Sequence, residues 1–176
     1  ATPGQRPRSP SPTNPTTLLT ASRSLKYATG APSLRIEASR MRHFPDTDTI
    51  EFDSPRIVTL APERPEVRVS ALRGTGPDDG SAVELIGDVR IVRTGESAGQ
   101  ATNQTRDPTS TRPAQPLIAT TARATVQLET RVVTTDEAVE IEIGEDRLAG
   151  TGMRLDSDAR RLEILSAVRG SLAPRP

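Results

Sequence analysis

Apolar residues recur at every second position in segment after segment of this chain, and that period admits strands and little else. Leu34, Ile36 and Ala38 alternate with Arg35, Glu37 and Ser39, and Ile50 and Phe52 alternate with Thr49, Glu51 and Asp53. Val67, Val69 and Ala71 alternate with Glu66, Arg68 and Ser70. Val83 and Leu85 flank Glu84, Val89 and Ile91 flank Arg90, and Val126 and Leu128 flank Gln127. Val139, Ile141 and Ile143 alternate with Glu140 and Glu142. A period of two puts the apolar side chains on one face of a strand. Turn signals separate the runs: Pro45-Asp46, Ser54-Pro55, Gly76 to Gly80, Gly87-Asp88 and Asp156 to Asp158. No stretch longer than about ten residues carries a helical period. The chain is predicted to be mainly β.

The alternation is confined to one domain, residues 25–172. Residues 1–24 read as a disordered N-terminal arm, because Pro3, Pro7, Pro10, Pro12 and Pro15 block helix and ladder alike. Residues 94–116 contain no Leu, Ile, Val or aromatic residue and are expected to be a mobile polar loop. Residues 173–176 form a tail with two prolines. No run of apolar residues is long enough to span a bilayer. The numbering opens at Ala1 rather than Met, which leaves open whether a signal or anchor segment has been removed before it.

Composition excludes several functions. There is no cysteine, which removes disulfides, thiolate metal sites and cysteine nucleophiles. Lys plus Arg and Asp plus Glu are both 23, a balance ill suited to a dedicated phosphate-backbone binder, so no nucleic-acid partner is expected. The balance is uneven along the chain. Residues 1–42 carry seven cations against Glu37 alone, so a basic end sits on an acidic body, an arrangement that favours an anionic surface near that end. Leu, Ile, Val and Phe total 36 of 176 residues, and Tyr27, Phe44 and Phe52 are the only aromatics, which leaves little volume for a thick core. Two sheets with such thin apolar faces either close into a sandwich or gape as a trough. The composition favours the trough, whose aliphatic lining suits acyl chains because their burial is non-directional, at about 0.8 kcal/mol per CH₂.

No catalytic constellation emerges. His43 stands between a strand and a turn, and Asp46 or Asp48 cannot complete a triad or a metal set around it. Asp46, Asp48, Glu51 and Asp53 lack the glycine and the terminal glutamate of a calcium loop. Glu140, Glu142 and Asp146 are the best candidates for paired-carboxylate glycoside hydrolysis. Yet Glu140 and Glu142 share one strand face opposite aliphatics, the pattern of an exposed charged strand. Gly74-Thr75-Gly76 and Gly150-Thr151-Gly152 precede no helix and read as turns or bulges rather than phosphate loops.

A weak internal repeat accompanies the strands. Residues 83–90 match residues 162–169 at an offset of 79, with Glu, Val and Arg identical and the apolar pattern retained. Repeated strand–turn–strand units suggest a quasi-one-dimensional β array. The terminal strands of such an array offer unpaired backbone to another chain. The last strand, Leu162 to Leu172, ends without a cap.

Several stretches together resemble one known family. Residues 26–38, then Met41-Arg42-His43-Phe44-Pro45-Asp46 and Ser54-Pro55, resemble the opening of the LptC family of lipopolysaccharide-export proteins. The resemblance continues through residues 69–74, 83–89 and 134–139, and closes with residues 149–153 and Val168-Arg169-Gly170. It implies an antiparallel β-jellyroll of the LptA-like superfamily, two V-shaped sheets around an apolar groove open at both ends. It implies residence in the periplasm, facing the inner membrane and anchored there by a helix absent from this chain. The implied ligand is lipopolysaccharide, received from the LptB/LptF/LptG transporter at the N-terminal edge and passed to an LptA-like bridge protein at the C-terminal edge.

By that analogy, Leu34, Ile36, Phe52, Val67, Val69, Leu85, Val126, Leu128, Ile141 and Met153 line the groove. Leu34 to Ala38 face the transporter, while Leu162, Ile164, Val168 and Leu172 meet the bridge protein. No cofactor and no enzymatic activity are expected. The rival readings are a bridging scaffold that works by edge pairing without lipid, and a periplasmic glycan hydrolase.

Overall fold

The computed structural model describes residues 16–26, 32–59, 66–94, 115–157 and 161–171. Within them the chain is all strand and turn: β1 Thr16–Lys26, β2 Pro32–Phe44, β3 Thr49–Asp53, β4 Arg56–Thr59, β5 Val67–Ser70, β6 Arg73–Pro77, β7 Ala82–Arg93, β8 Leu117–Gln127, β9 Val132–Ile143, β10 Asp146–Asp156 and β11 Arg161–Ser171. Every pairing among them is antiparallel. β3 and β4 are two halves of one long strand on β2, and β5 and β6 are two halves of the next. The described chain is thus a single meander of long strands, each paired with the one before it.

From β3 onward each long strand is interrupted near its middle, and the interruptions fall in one row across the sheet. Ser54 separates β3 from β4 with φ at 50°, and its N–H donates to Leu72 O at 2.8 Å. Leu72, between β5 and β6, donates to Gly87 O at 2.9 Å. Gly87 and Asp88 bulge out of β7 with φ at 80° and 45°. The pairing of β8 with β9 slips between Thr121 and Thr125, that of β10 with β9 slips at Gly152 (φ 74°), and β11 bulges at Ala167 (φ 53°). A bulge sharpens local twist and bends its strand. A row of them folds the sheet along a line, so its two halves face each other as the arms of a V.

Side chains satisfy the backbone groups that this line frees. Thr121 Oγ1 donates to Ala138 O at 2.8 Å, and Thr135 Oγ1 donates to Arg123 O at 2.6 Å while accepting from the Glu137 N–H at 3.1 Å. Both threonines are buried, where an unpaired carbonyl would cost about 1–3 kcal/mol. At the β6–β7 turn the Ser81 N–H donates to Asp79 Oδ1 at 2.8 Å, which holds that carboxyl below its ordinary 3.8.

One strand lies where the sequence suggested none. Residues 16–24, expected in the disordered arm, form most of β1, which pairs along β2 from Thr16↔His43 to Leu25↔Leu34. The physical reason is local: the prolines end at Pro15, and Thr16-Thr17-Leu18-Leu19-Thr20 suits a ladder. The consequence is that Leu34 to Ala38, expected at the N-terminal edge, lie one strand inside it. Residues 1–15, most of the loop at 94–116 and the tail at 173–176 fall outside the described residues.

Candidate functional site: an apolar interior that opens at the last strand

The inner faces of the two arms form one apolar interior. All ten residues assigned to a groove by resemblance lie in it, none more than 4% exposed: Leu34, Ile36, Phe52, Val67, Val69, Leu85, Val126, Leu128, Ile141 and Met153. They come from both arms. Leu34, Ile36, Val67, Val69 and Ile141 stand on one side of the fold line, and Phe52, Leu85, Val126 and Met153 on the other. For all but Met153, which came with the resemblance, period-two alternation brought them together because a strand has only two faces. Along most of its length the interior is filled by these side chains. Their modest volumes let the arms approach, as Gly74 shows: a Cβ there would sit 3.2 Å from both Leu85 and Pro55.

The filling stops at one end. Ile143, Leu148, Leu162 and Ile164 are only partly buried against the core, and Val168 is 57% exposed. Among the described residues β11 pairs with β10 alone, so its far backbone edge is unpartnered. On the outer face of the same end, a depression of about 340 Å³ is lined by Glu140, Glu142, Arg147, Ala149 and Arg169. Of the residues expected to meet a partner here, Leu162 and Ile164 sit at the open mouth and Val168 on the exposed edge, while Leu172 lies outside the described residues.

Sequence reasoning missed several interior residues. Met41 is buried although Ser39 and Arg40 before it are both exposed, because the inward phase slips by one residue at the fold line. Leu148 was passed over because Gly150, Thr151 and Gly152 break the alternation after it. The signal for both was the glycine and bulge chemistry at the corner, which a strict period of two does not accommodate.

The hydrolytic candidates Glu140 and Glu142 border the depression on the outer face and not the apolar interior. Glu140 and Glu142 are exposed on the outer face of β9, and Glu142 pairs with Arg147 at 3.4 Å. His43 Nε2 faces Asp78 at 3.5 Å, tying the end of β2 to the β6–β7 turn. Among the described residues no three His, Asp or Glu side chains come together as a metal would require. No helix among them is long and apolar enough to cross a membrane.

Comparison with known proteins agrees with this geometry. LptH from Pseudomonas aeruginosa, the LptA-homologous periplasmic component of a lipopolysaccharide transport device, superposes with a TM-score of 0.55. The match covers 80% of this chain and 95% of that one at 8% identity, a likeness of fold. No curated protein matches this chain. The description of one protein family, lipopolysaccharide-assembly, LptC-related, matches residues 1–173, nearly the whole sequence. A V-folded antiparallel meander with an aliphatic interior and an open last strand therefore belongs to the LptC-related family of lipopolysaccharide-assembly proteins.

Proposed function

We propose that this chain is a non-enzymatic carrier in periplasmic lipopolysaccharide transport. It shields the acyl chains of lipid A between its two arms while the sugars stay in water. The observation that carries this reading is the continuous aliphatic interior, which opens only toward β11 among the described residues. An acyl chain entering it gains about 0.8 kcal/mol for each CH₂ removed from water. It needs no polar anchor, and the interior supplies few: Thr59, Thr121 and Thr135 are its buried polar side chains among the described residues. Admission of a chain requires the arms to part along the fold line, where bulges and glycines already interrupt the ladders.

Transfer then runs from an inner-membrane transporter of the LptB/LptF/LptG type at the β1–β2 end to an LptA-like bridge protein at β11. Attachment to the inner membrane through a helix outside this sequence completes the assignment. The test is photo-crosslinking from probes at Leu85, Ile141 and Ile164 to lipopolysaccharide in the assembled export complex. Adducts from these inward positions, and none from the outward Glu140, are the expected result. Silence from every inward position would sink the idea.

The tight packing of the interior favours one rival, a scaffold that joins its neighbours through strand edges and carries no lipid. Leu148→Glu and Ile164→Glu place charge at the mouth without entering the densest core. A scaffold keeps its partners after these changes. A carrier keeps the partners and loses the lipid adduct.

A further inference from the structure

The outer face of one arm is built differently from that of the other. Directly paired residues of an antiparallel ladder point to the same side, so the register defines rows of side chains across the sheet. On the arm whose inner face carries Leu34, Ile57 and Val69, one outward row runs Arg35, Val58, Arg68, Val92 and Ile118. The next outward row runs Glu37, Arg56, Ser70, Arg90 and Thr120. Val58, Val92 and Ile118 are half-buried on a face that is otherwise polar, and the four arginines around them are exposed. Arg35 has Glu37 at 3.9 Å and Arg68 touches Glu66, whereas Arg56 and Arg90 have no ion-pair partner among the described residues.

The other arm mixes its charges on the outside. A row there runs Arg42, Glu51, Thr75, Glu84 and Thr125, with no aliphatic side chain in it. Arg42 bridges Glu51 at 3.5 Å and Asp53 at 2.9 Å, and Glu84 holds Arg123 at 3.0 Å. The cationic excess also ends within its own arm. Where the two rows continue onto β9, β10 and β11, Glu142 pairs with Arg147 at 3.4 Å, and Glu140 lies across Ala149 from Arg169. Carboxylates and guanidinium groups balance on those last strands.

Unpaired arginines set among half-buried aliphatics match a partner that is anionic at its surface and apolar just beneath. A guanidinium fork binds phosphate, and its stem lies along apolar surface. A dissolved anion would use the arginines and leave Val58, Val92 and Ile118 without a role, whereas a bilayer uses both. We propose that the outer face formed by β2, β4, β5, β7 and the start of β8 rests on an anionic phospholipid bilayer. Arg56 and Arg90 meet headgroup phosphates, and Val58, Val92 and Ile118 reach the boundary with the acyl chains. The inference rests on the carrier reading, in which the N-terminal strands lie nearest the inner membrane, and it names the face of the domain that is turned to the lipid. The balanced outer face of β9 to β11 gains nothing from the bilayer and is free to tilt away from it.

The test uses the full chain and vesicles free of lipopolysaccharide. At low salt it is expected to float with vesicles of equal parts phosphatidylglycerol and phosphatidylcholine, and not with phosphatidylcholine alone. Arg56→Gln with Arg90→Gln should weaken that binding at least about tenfold, because each cation beside an anionic leaflet contributes roughly fivefold. Arg73→Gln with Arg154→Gln removes the same charge from exposed arginines on the outer face of the other arm, and should leave binding within about twofold. A second readout changes no charge. With no native cysteine, a polarity-sensitive dye can be placed on Val92→Cys or on Thr125→Cys of the other arm. The first should shift to the blue with anionic vesicles and the second should not. No binding, equal binding to both vesicle types, equal losses from the two arginine pairs, or no shift at Val92→Cys overturns the proposal. Equal losses would show that net charge drives the contact without a preferred face. Because no lipopolysaccharide enters the assay, its failure leaves the carrier reading to its own crosslinking test.

Discussion

Leu85 on β7 and Ile164 on β11 occupy equivalent positions in two hairpins of the same register, yet the first is fully buried and the second only partly. The inward residues of β7 are flanked by β5 and β6 on one side and β8 on the other. Among the described residues, those of β11 have β10 alone. The same local sequence therefore makes a core strand when a neighbour is supplied and an apolar edge when it is not. Burial here is a property of a strand's place in the array.

The largest test of this contrast is truncation. Leu85→Ala is expected to cost about 2–5 kcal/mol, the usual range for emptying a tightly packed site. Ile164→Ala should cost under about 2 kcal/mol, since part of its surface already meets water. Urea denaturation of both variants makes the comparison. Equal losses would show that the β11 end is as densely packed as the middle.

The corner offers a second contrast, because β8 and β9 carry buried threonines at the fold line and β10–β11 do not. Thr135→Val keeps the shape but leaves the Arg123 carbonyl and the Glu137 N–H without their partner, at a cost of about 1–3 kcal/mol. Ser166 Oγ, which donates to Thr151 O at 3.2 Å on the exposed outer face, should lose less than about 1 kcal/mol as alanine, because water replaces its bond. A Thr135→Val protein as stable as the parent would mean that the corner relaxes around the missing hydroxyl.

The β11 bulge also predicts a gain. Ala167→Gly removes the clash of a Cβ at positive φ and should stabilise the chain by about 1 kcal/mol or less, after the entropy cost of glycine. Asp88→Gly should gain less, since aspartate tolerates that conformation better. Thermal unfolding of the two variants reads the difference. A loss at Ala167→Gly would show that the residue is not strained.

These contrasts also explain how much the sequence disclosed. The all-β class and nine of the ten interior residues were legible because alternation is a local signal and one face must be buried; Met153 came only with the family resemblance. The repeat at residues 83–90 and 162–169 was legible as well, though only its last strand, because the preceding partners Val69 and Leu148, or Gly74 and Met153, conserve position but not residue type. The fold line was not legible. A bulge is made by different residues on each strand, Ser54 here and Gly87-Asp88 or Ala167 there, and no composition rule joins them. β1 was obscured for another reason: its pairing with β2 is decided by a partner, and five prolines in the residues before it dominated the local signal.

The smallest effect separates the two hairpins by charge. Glu84 and Glu163 are identical residues at equivalent positions, but Glu84 reaches across to Arg123 on β8, whereas Glu163 pairs with Arg161 on its own strand. Both pairs are largely exposed, so Glu84→Gln should cost about 0.2–1 kcal/mol at low salt, and raising the ionic strength should shrink that loss. Glu163→Gln should change stability by less, because its partner joins no second strand to the array. Urea denaturation of both variants at low and high salt separates a charge that ties two strands together from the same charge paired along one strand.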